Sequence, residues 1–131
     1  MFDRVGAVVL FVDDLDTCLA FYRDVLELRV AMTDNDSAAF YMAGHDFALL
    51  KTPAAAEMVG EQLLAGGASH RVMLCADVEN VDMTYAQLTA KGVKFLKPPM
   101  DQPWGIRAAY FADPAGNFWE IRHSLKSPST P

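Results

Sequence analysis

The stretch DPAGNFWEI, Asp113–Ile121, runs a sharp turn straight into a segment with strand character. Asp-Pro starts a turn, and Gly-Asn supplies the positive-φ geometry that reverses the chain. Phe118, Trp119 and Ile121 then want burial. Glu120 stands among them, and a carboxylate is rarely buried without a partner. An earlier segment, Phe47–Lys51 (FALLK), matches Phe118–Arg122 (FWEIR) in opening on Phe and closing on a cation, at an offset of 71 residues (118 − 47). That pairing raises the question of an internal repeat.

The repeat extends outward from there. Val5–Val12 is an apolar, β-branched run that reads as a buried strand. Asp13 or Asp14 can cap a following helix, whose stripe is Leu15, Leu19, Tyr22 and Val25 or Leu26. Three short strands are expected next, at Leu28–Met32, Ala38–Ala43 and Asp46–Lys51, separated by the turns DNDS and AGHD. The second half repeats the order. His70–Ala76 is a strand, Asp77 a cap, and Val78, Val81, Tyr85 and Leu88 a helical stripe that Gly92 can end. Strands at Val93–Leu96, Gly105–Phe111 and Phe118–His123 complete it. Matching Asp14 to Asp77 gives an offset of 63 residues (77 − 14). The expectation is an α+β fold of two βαβββ units, residues 1–51 and 70–124. A linker over residues 52–69, with a short helix near Glu57–Ala65, joins them, and the Ser/Pro-rich residues 125–131 form a frayed tail.

Composition bounds the function. A chain of 131 residues, 52% hydrophobic and 21% charged, fits one compact globular protein. No apolar run approaches the roughly 20 residues of a membrane helix, and the N-terminus lacks the basic region of a signal peptide, so a cytoplasmic protein without a membrane partner is expected. The net charge of −6 argues against a nucleic-acid partner and is congenial to a cationic ligand. Cys18 and Cys75 read as reduced, buried small hydrophobes.

Alternation along strands assigns faces. Phe118 and Arg122 share a face with Glu120; Phe47, Leu49 and Lys51 form the equivalent face of the first unit. Ala7, Val9 and Phe11 make one face of the opening strand, matched by His70, Val72 and Leu74. If the sheets curl and pair, these faces line a cup.

The duplicated order, the VxDLxxxxxFYRDVLxL run (Val12–Leu28) and the PWGxRxxxFxDPxGNxxEI run (Pro103–Ile121) resemble the vicinal oxygen chelate superfamily. That superfamily includes glyoxalase I, extradiol dioxygenases and the fosfomycin- and bleomycin-resistance proteins. The resemblance spans about Val5 to Ile121 and implies a homodimer whose paired units complete cup-shaped sheets. In metal-using members four positions in the cup supply ligands, and carried over they are Ala7, Leu49, His70 and Glu120. Only His70 and Glu120 can bind a metal, and a divalent ion needs about three protein donors. His45 and Asp46 sit toward the rim, and His123 has the parity that faces outward. His70 and Glu120 can instead satisfy each other or anchor a polar ligand group.

The resemblance therefore implies a metal-independent protein that binds or sequesters a small, partly aromatic molecule, as antibiotic-resistance members do, with no cofactor. The alternative is a lyase, isomerase or dioxygenase of the glyoxalase type, with a divalent metal on His70 and Glu120. Val9, Phe11, Phe47 and Phe118 supply apolar wall around His70, Glu120, Ala7 and Leu49, with Phe40, Met42 and Tyr110 as possible additions. Trp104 either stacks on a planar ligand or packs on the sheet edge. Arg107 either reaches the ligand or pairs with a surface acid.

Overall fold

The computed structural model describes residues 7–59 and 73–125. His70, Val72 and the tail from residue 126 lie outside them. Two compact units divide between residues 69 and 70.

In the first unit β1 (Ala7–Val12) leads into α1 (Leu15–Ala20), which continues as a π-helical turn over Phe21–Val25. Asp14 caps α1: its side chain accepts from the Thr17 backbone N–H at 3.0 Å and from the Thr17 hydroxyl at 2.7 Å. The wide turn ends where the Leu28 N–H donates to the Tyr22 carbonyl at 2.9 Å, with Glu27 between them at φ 61°. Strands β2 (Val30–Thr33), β3 (Ser37–Phe40) and β4 (Asp46–Lys51) follow. The sheet order is β1-β4-β3-β2, with β1 parallel to β4 and the rest antiparallel. Helix α2 (Thr52–Val59) starts immediately after β4. It therefore begins five residues before the expected Glu57, because Thr52-Pro53 already forms a helix start, and the Thr52 hydroxyl ties it to Asp13 at 2.7 Å.

The second unit repeats this plan with β5 (Met73–Asp77), α3 (Val81–Ala90), β6 (Lys97–Asp101), β7 (Ile106–Ala112) and β8 (Phe118–Ser124), in sheet order β5-β8-β7-β6. The helix cap is Asn80, whose side chain accepts from the Met83 N–H at 3.1 Å, not the expected Asp77. Val78 and Val81 are three residues apart and fit the same helical stripe, and both Asp77 and Asn80 can cap, so periodicity alone places the start three residues early. The sixth strand also differs from expectation. It lies at Lys97–Asp101 rather than Val93–Leu96, and passes through Pro98-Pro99. An edge strand tolerates proline, and the pairing shifts between Lys97↔Tyr110 and Met100↔Ala108 to accommodate the pair.

Each helix packs on one face of its own sheet. In the first unit Tyr22, fully buried, meets the rings of Phe47 and Phe40 at 5.4 and 5.8 Å, above buried Leu10, Val12, Ala38 and Leu49. In the second unit the rings run Tyr85–Phe95–Phe111–Trp119, with Val81, Leu88, Ala109 and Ile121 buried around them. The turn before β8 is built by Asp113: Oδ1 accepts from the Ala115 and Asn117 N–H groups at 2.9 and 2.7 Å, Oδ2 accepts from the Asn117 side chain at 2.9 Å, and Gly116 takes φ 90°. Burial of Asp113 is thereby matched by donors.

Candidate functional site

The turn delivers Glu120 to the middle of β8, on the face that α3 leaves uncovered. Trp119 and Ile121 point toward the helix, so alternation turns Glu120 the other way. Its cross-strand partners are Cys75 on β5 and Tyr110 on β7. The Tyr110 hydroxyl donates to Glu120 Oε2 at 2.6 Å, a short bond of the charge-assisted kind. A guanidinium nitrogen of Arg122 lies 3.8 Å from Oε1, while Arg122 Nε donates to Asp77 Oδ1 at 2.9 Å. Glu120 is only 4% exposed, and these neighbours answer the question its sequence position raises.

The electrostatics follow from that packing. Burial, then the hydrogen bond to Glu120, push the Tyr110 phenol up to about 12. Burial and a hydrogen bond to Glu120 likewise push the Cys75 thiol up. Both groups therefore hold their protons and present them to the carboxylate. Cys75 is exposed, in contrast to the buried thiol expected; only Cys18 is buried. Sliding the strand three residues brings Cys75 onto the Glu120 face.

The same slide re-registers the repeat. The caps Asp14 and Asn80 set an offset of 66 residues (80 − 14), which places Met73 rather than His70 opposite Ala7 in the duplicated plan. For the closing strands, the helix-facing pairs Phe47/Trp119 and Leu49/Ile121 set an offset of 72 (119 − 47), so Ala48 is the counterpart of Glu120. The strand pairs Val9↔Ala48 and Cys75↔Glu120 satisfy both offsets. FALLK and FWEIR agree at their ends but are one residue out of phase in their alternation.

The expected site residues therefore separate. Val9 and Phe11 lie on the helix-free face of the first sheet, 46% and 38% exposed, and Ala7 shares that face. Phe47 and Leu49 do not. Both are buried against α1 with Phe40, and Ala48 and Leu50 take the helix-free face instead. Phe118 is exposed beside Met73 on the Glu120 face. Trp104 is 66% exposed in the turn between β6 and β7. Arg107 is committed on the helix side: it grips Asp82 of α3 at 2.8 and 2.9 Å and Asp101 at 2.9 Å, and those hydrogen bonds push its pKa up. His123 also faces the helix, as its parity requires, and its Nδ1 accepts from the Val81 N–H at 2.8 Å.

Among the described residues no three His, Cys, Asp or Glu side chains converge. The groups nearest the carboxylate are a phenol, a thiol that keeps its proton, and a guanidinium. His70 falls outside the described residues.

Comparisons place this arrangement among known proteins. The chain is 38% identical over 121 residues to YraH, an uncharacterized protein of Bacillus subtilis (strain 168), covering 88% of this chain and 94% of that one. Its fold is similar to a glyoxalase/bleomycin resistance protein/dioxygenase from Nocardioides, with TM-score 0.84 and 28% identity over 100% of this chain and 91% of that one. It is also similar in fold to a lactoylglutathione lyase from Agrobacterium tumefaciens, with TM-score 0.76 and 23% identity over 93% and 94% of the two chains. The family model for the Glyoxalase/Bleomycin resistance protein/Dioxygenase superfamily matches residues 4–121. With two βαβββ units in order and that match across most of its length, the chain belongs to the Glyoxalase/Bleomycin resistance protein/Dioxygenase superfamily.

Proposed function

We propose that the protein binds and sequesters a small, partly aromatic molecule without a metal, in the manner of the resistance proteins of its superfamily, as a cytoplasmic homodimer. The observation that carries this reading is the makeup of the second sheet's helix-free face. Met73 and Phe118 expose apolar surface there, and one buried carboxylate, Glu120, supplies a polar corner. Apolar walls with a few placed polar groups are the usual composition of a small-molecule site. The described neighbours of Glu120, a phenol and a thiol that keep their protons and a guanidinium, support metal independence, since none is a carboxylate, thiolate or imidazole.

Metal content and ligand stabilisation test it together. Purified protein incubated with Mn²⁺, Ni²⁺ or Zn²⁺ should retain no stoichiometric metal by mass spectrometry. Glycopeptide, quinone and peptide antibiotics form the first thermal-shift panel. A bound member should raise Tm with concentration, by an amount equivalent to about 2.7 kcal/mol at a hundred times Kd. Stoichiometric metal that disappears in both His70→Ala and Glu120→Ala would replace this reading with the metal-dependent lyase, isomerase or dioxygenase.

A further inference from the structure

We propose that His123 is a pH-sensitive latch, whose neutral ring holds the first turn of α3 on the second sheet and whose protonation releases it. The latch is independent of the small-molecule reading above.

A helix start leaves backbone N–H groups without acceptors inside the helix. At α3 two side chains supply acceptors, and they come from different places. Asn80, local in the chain, takes the Met83 N–H at 3.1 Å. His123, 42 residues away on β8, takes the Val81 N–H on Nδ1 at 2.8 Å. A backbone N–H can only donate, so Nδ1 offers its lone pair and the ring proton sits on Nε2. A second proton on the ring fills Nδ1 and sets one donor against another. Val81 is buried, so an N–H left there without an acceptor is costly.

The charges around the ring come from three other elements. On β7, Arg107 is the register partner of His123 across the ladder. On α3, Asp82 accepts from Arg107 at 2.8 and 2.9 Å, and those hydrogen bonds hold its carboxyl below the usual carboxylate range. On β6, Asp101 takes a further Arg107 bond at 2.9 Å. Arg122, next to His123 on β8, faces the other way toward Asp77. A charged His123 therefore adds a second cation beside Arg107 and at the positive end of the α3 dipole. The pull of Asp82 favours the charged ring, but it does not restore an acceptor to Val81. The first unit lacks this device. At the offset of 72 residues (123 − 51) its counterpart is Lys51, whose ammonium has no acceptor.

The sign follows from the neutral ring being the one the fold uses. The contribution is complete at high pH and is lost as pH falls through protonation of His123.

NMR on the full chain tests this first without any substitution. At about pH 8 the His123 ring should carry its proton on Nε2. Between about pH 8 and about pH 5, solvent exchange of the Val81 amide should accelerate about fivefold or more after correction for its intrinsic pH dependence. The midpoint should match that of the His123 ring signals. His123→Asn keeps an acceptor near the place of Nδ1 and does not titrate in this range, so the acceleration should vanish in it. A proton on Nδ1 at the higher pH, or a Val81 amide indifferent to titration of the ring, overturns the latch. So does an acceleration as large in His123→Asn as in the wild type.

Discussion

The two sheets share a backbone plan and differ in what their uncovered faces carry. In the first sheet the central row across three strands is Ala39, Ala48 and Val9. In the second the corresponding row is Tyr110, Glu120 and Cys75. At matched positions Val9 and Cys75 are both exposed, whereas Glu120 is 4% exposed and its counterpart Ala48 is half-buried. A βαβββ unit therefore folds with a wholly apolar row in this place, so the polar row is not demanded by the architecture. What the second unit adds is chemistry, and that difference between copies marks its face as the place to look for a ligand.

The sharpest way to break the comparison is at the face assignment itself. Leu49 is fully buried under α1, while its neighbour Leu50 sits half-buried on the uncovered face. Leu49→Ala should cost about 2–5 kcal/mol in chemical denaturation, and Leu50→Ala clearly less. Equal losses would mean the faces are assigned wrongly. Next in size is the turn that brings Glu120 into place. Asp113 accepts three hydrogen bonds while buried, so Asp113→Ala should destabilise by about 2–3 kcal/mol, read by the same assay.

The polar row itself has a pH signature. Tyr110 has a folded-state pKa of about 12, above the ordinary tyrosine value of 10. A raised value means that the interaction stabilises the fold fully below pH 10 and that this contribution fades as pH rises through about 12. Absorbance titration at 295 nm (a wavelength for tyrosinate) should show a late-titrating component that shrinks by one tyrosine in Tyr110→Phe. A late component of the same size in wild type and Tyr110→Phe would contradict the Tyr110–Glu120 contact.

The smallest effect concerns the helix ends. The first unit's helix closes with Glu27 in the left-handed region at φ 61°, the second's with Gly92 at φ 95°. Only glycine takes that conformation without strain, so Glu27→Gly should raise stability by up to about 1 kcal/mol, visible as a higher Tm. A drop in Tm would show that the Glu27 side chain contributes more than its backbone costs.

How much of this was legible from residues alone depends on which signal was read. Strand β4 was readable to the residue, because the turn AGHD sets its start and the linker that opens at Thr52 sets its end. The repeat was also readable, since two turn-strand segments and two capped helices recur in order. Its phase was not. Val78 and Val81 lie on one helical stripe, and Phe47 and Phe118 look equivalent although one is buried and the other exposed. A slip of one residue in a strand reverses every side chain, which is why Leu49 and Phe47 were placed on the wrong face. Cys75 was missed for the same reason. Tyr110 was legible only as a possible piece of wall; its role as donor to Glu120 follows from the β7–β8 register, which pairs the two across ten residues of chain. Residues whose role is local, such as Asp14 at its cap and the Asp113 turn, come through in sequence more clearly than those defined by a neighbour strand.

The proline pair in β6 has a consequence for self-association. β6 is one outer edge of its sheet, and β5 is the other. An exposed edge is a template on which another chain can add a strand, and addition depends on backbone N–H donors. Pro98 and Pro99 both lack an N–H, and since successive N–H groups of a strand point to opposite sides, the pair weakens the open β6 edge as well as the β6–β7 ladder. Strand addition to this sheet is thereby disfavoured at β6 relative to β5, the strand that carries Met73 and Cys75.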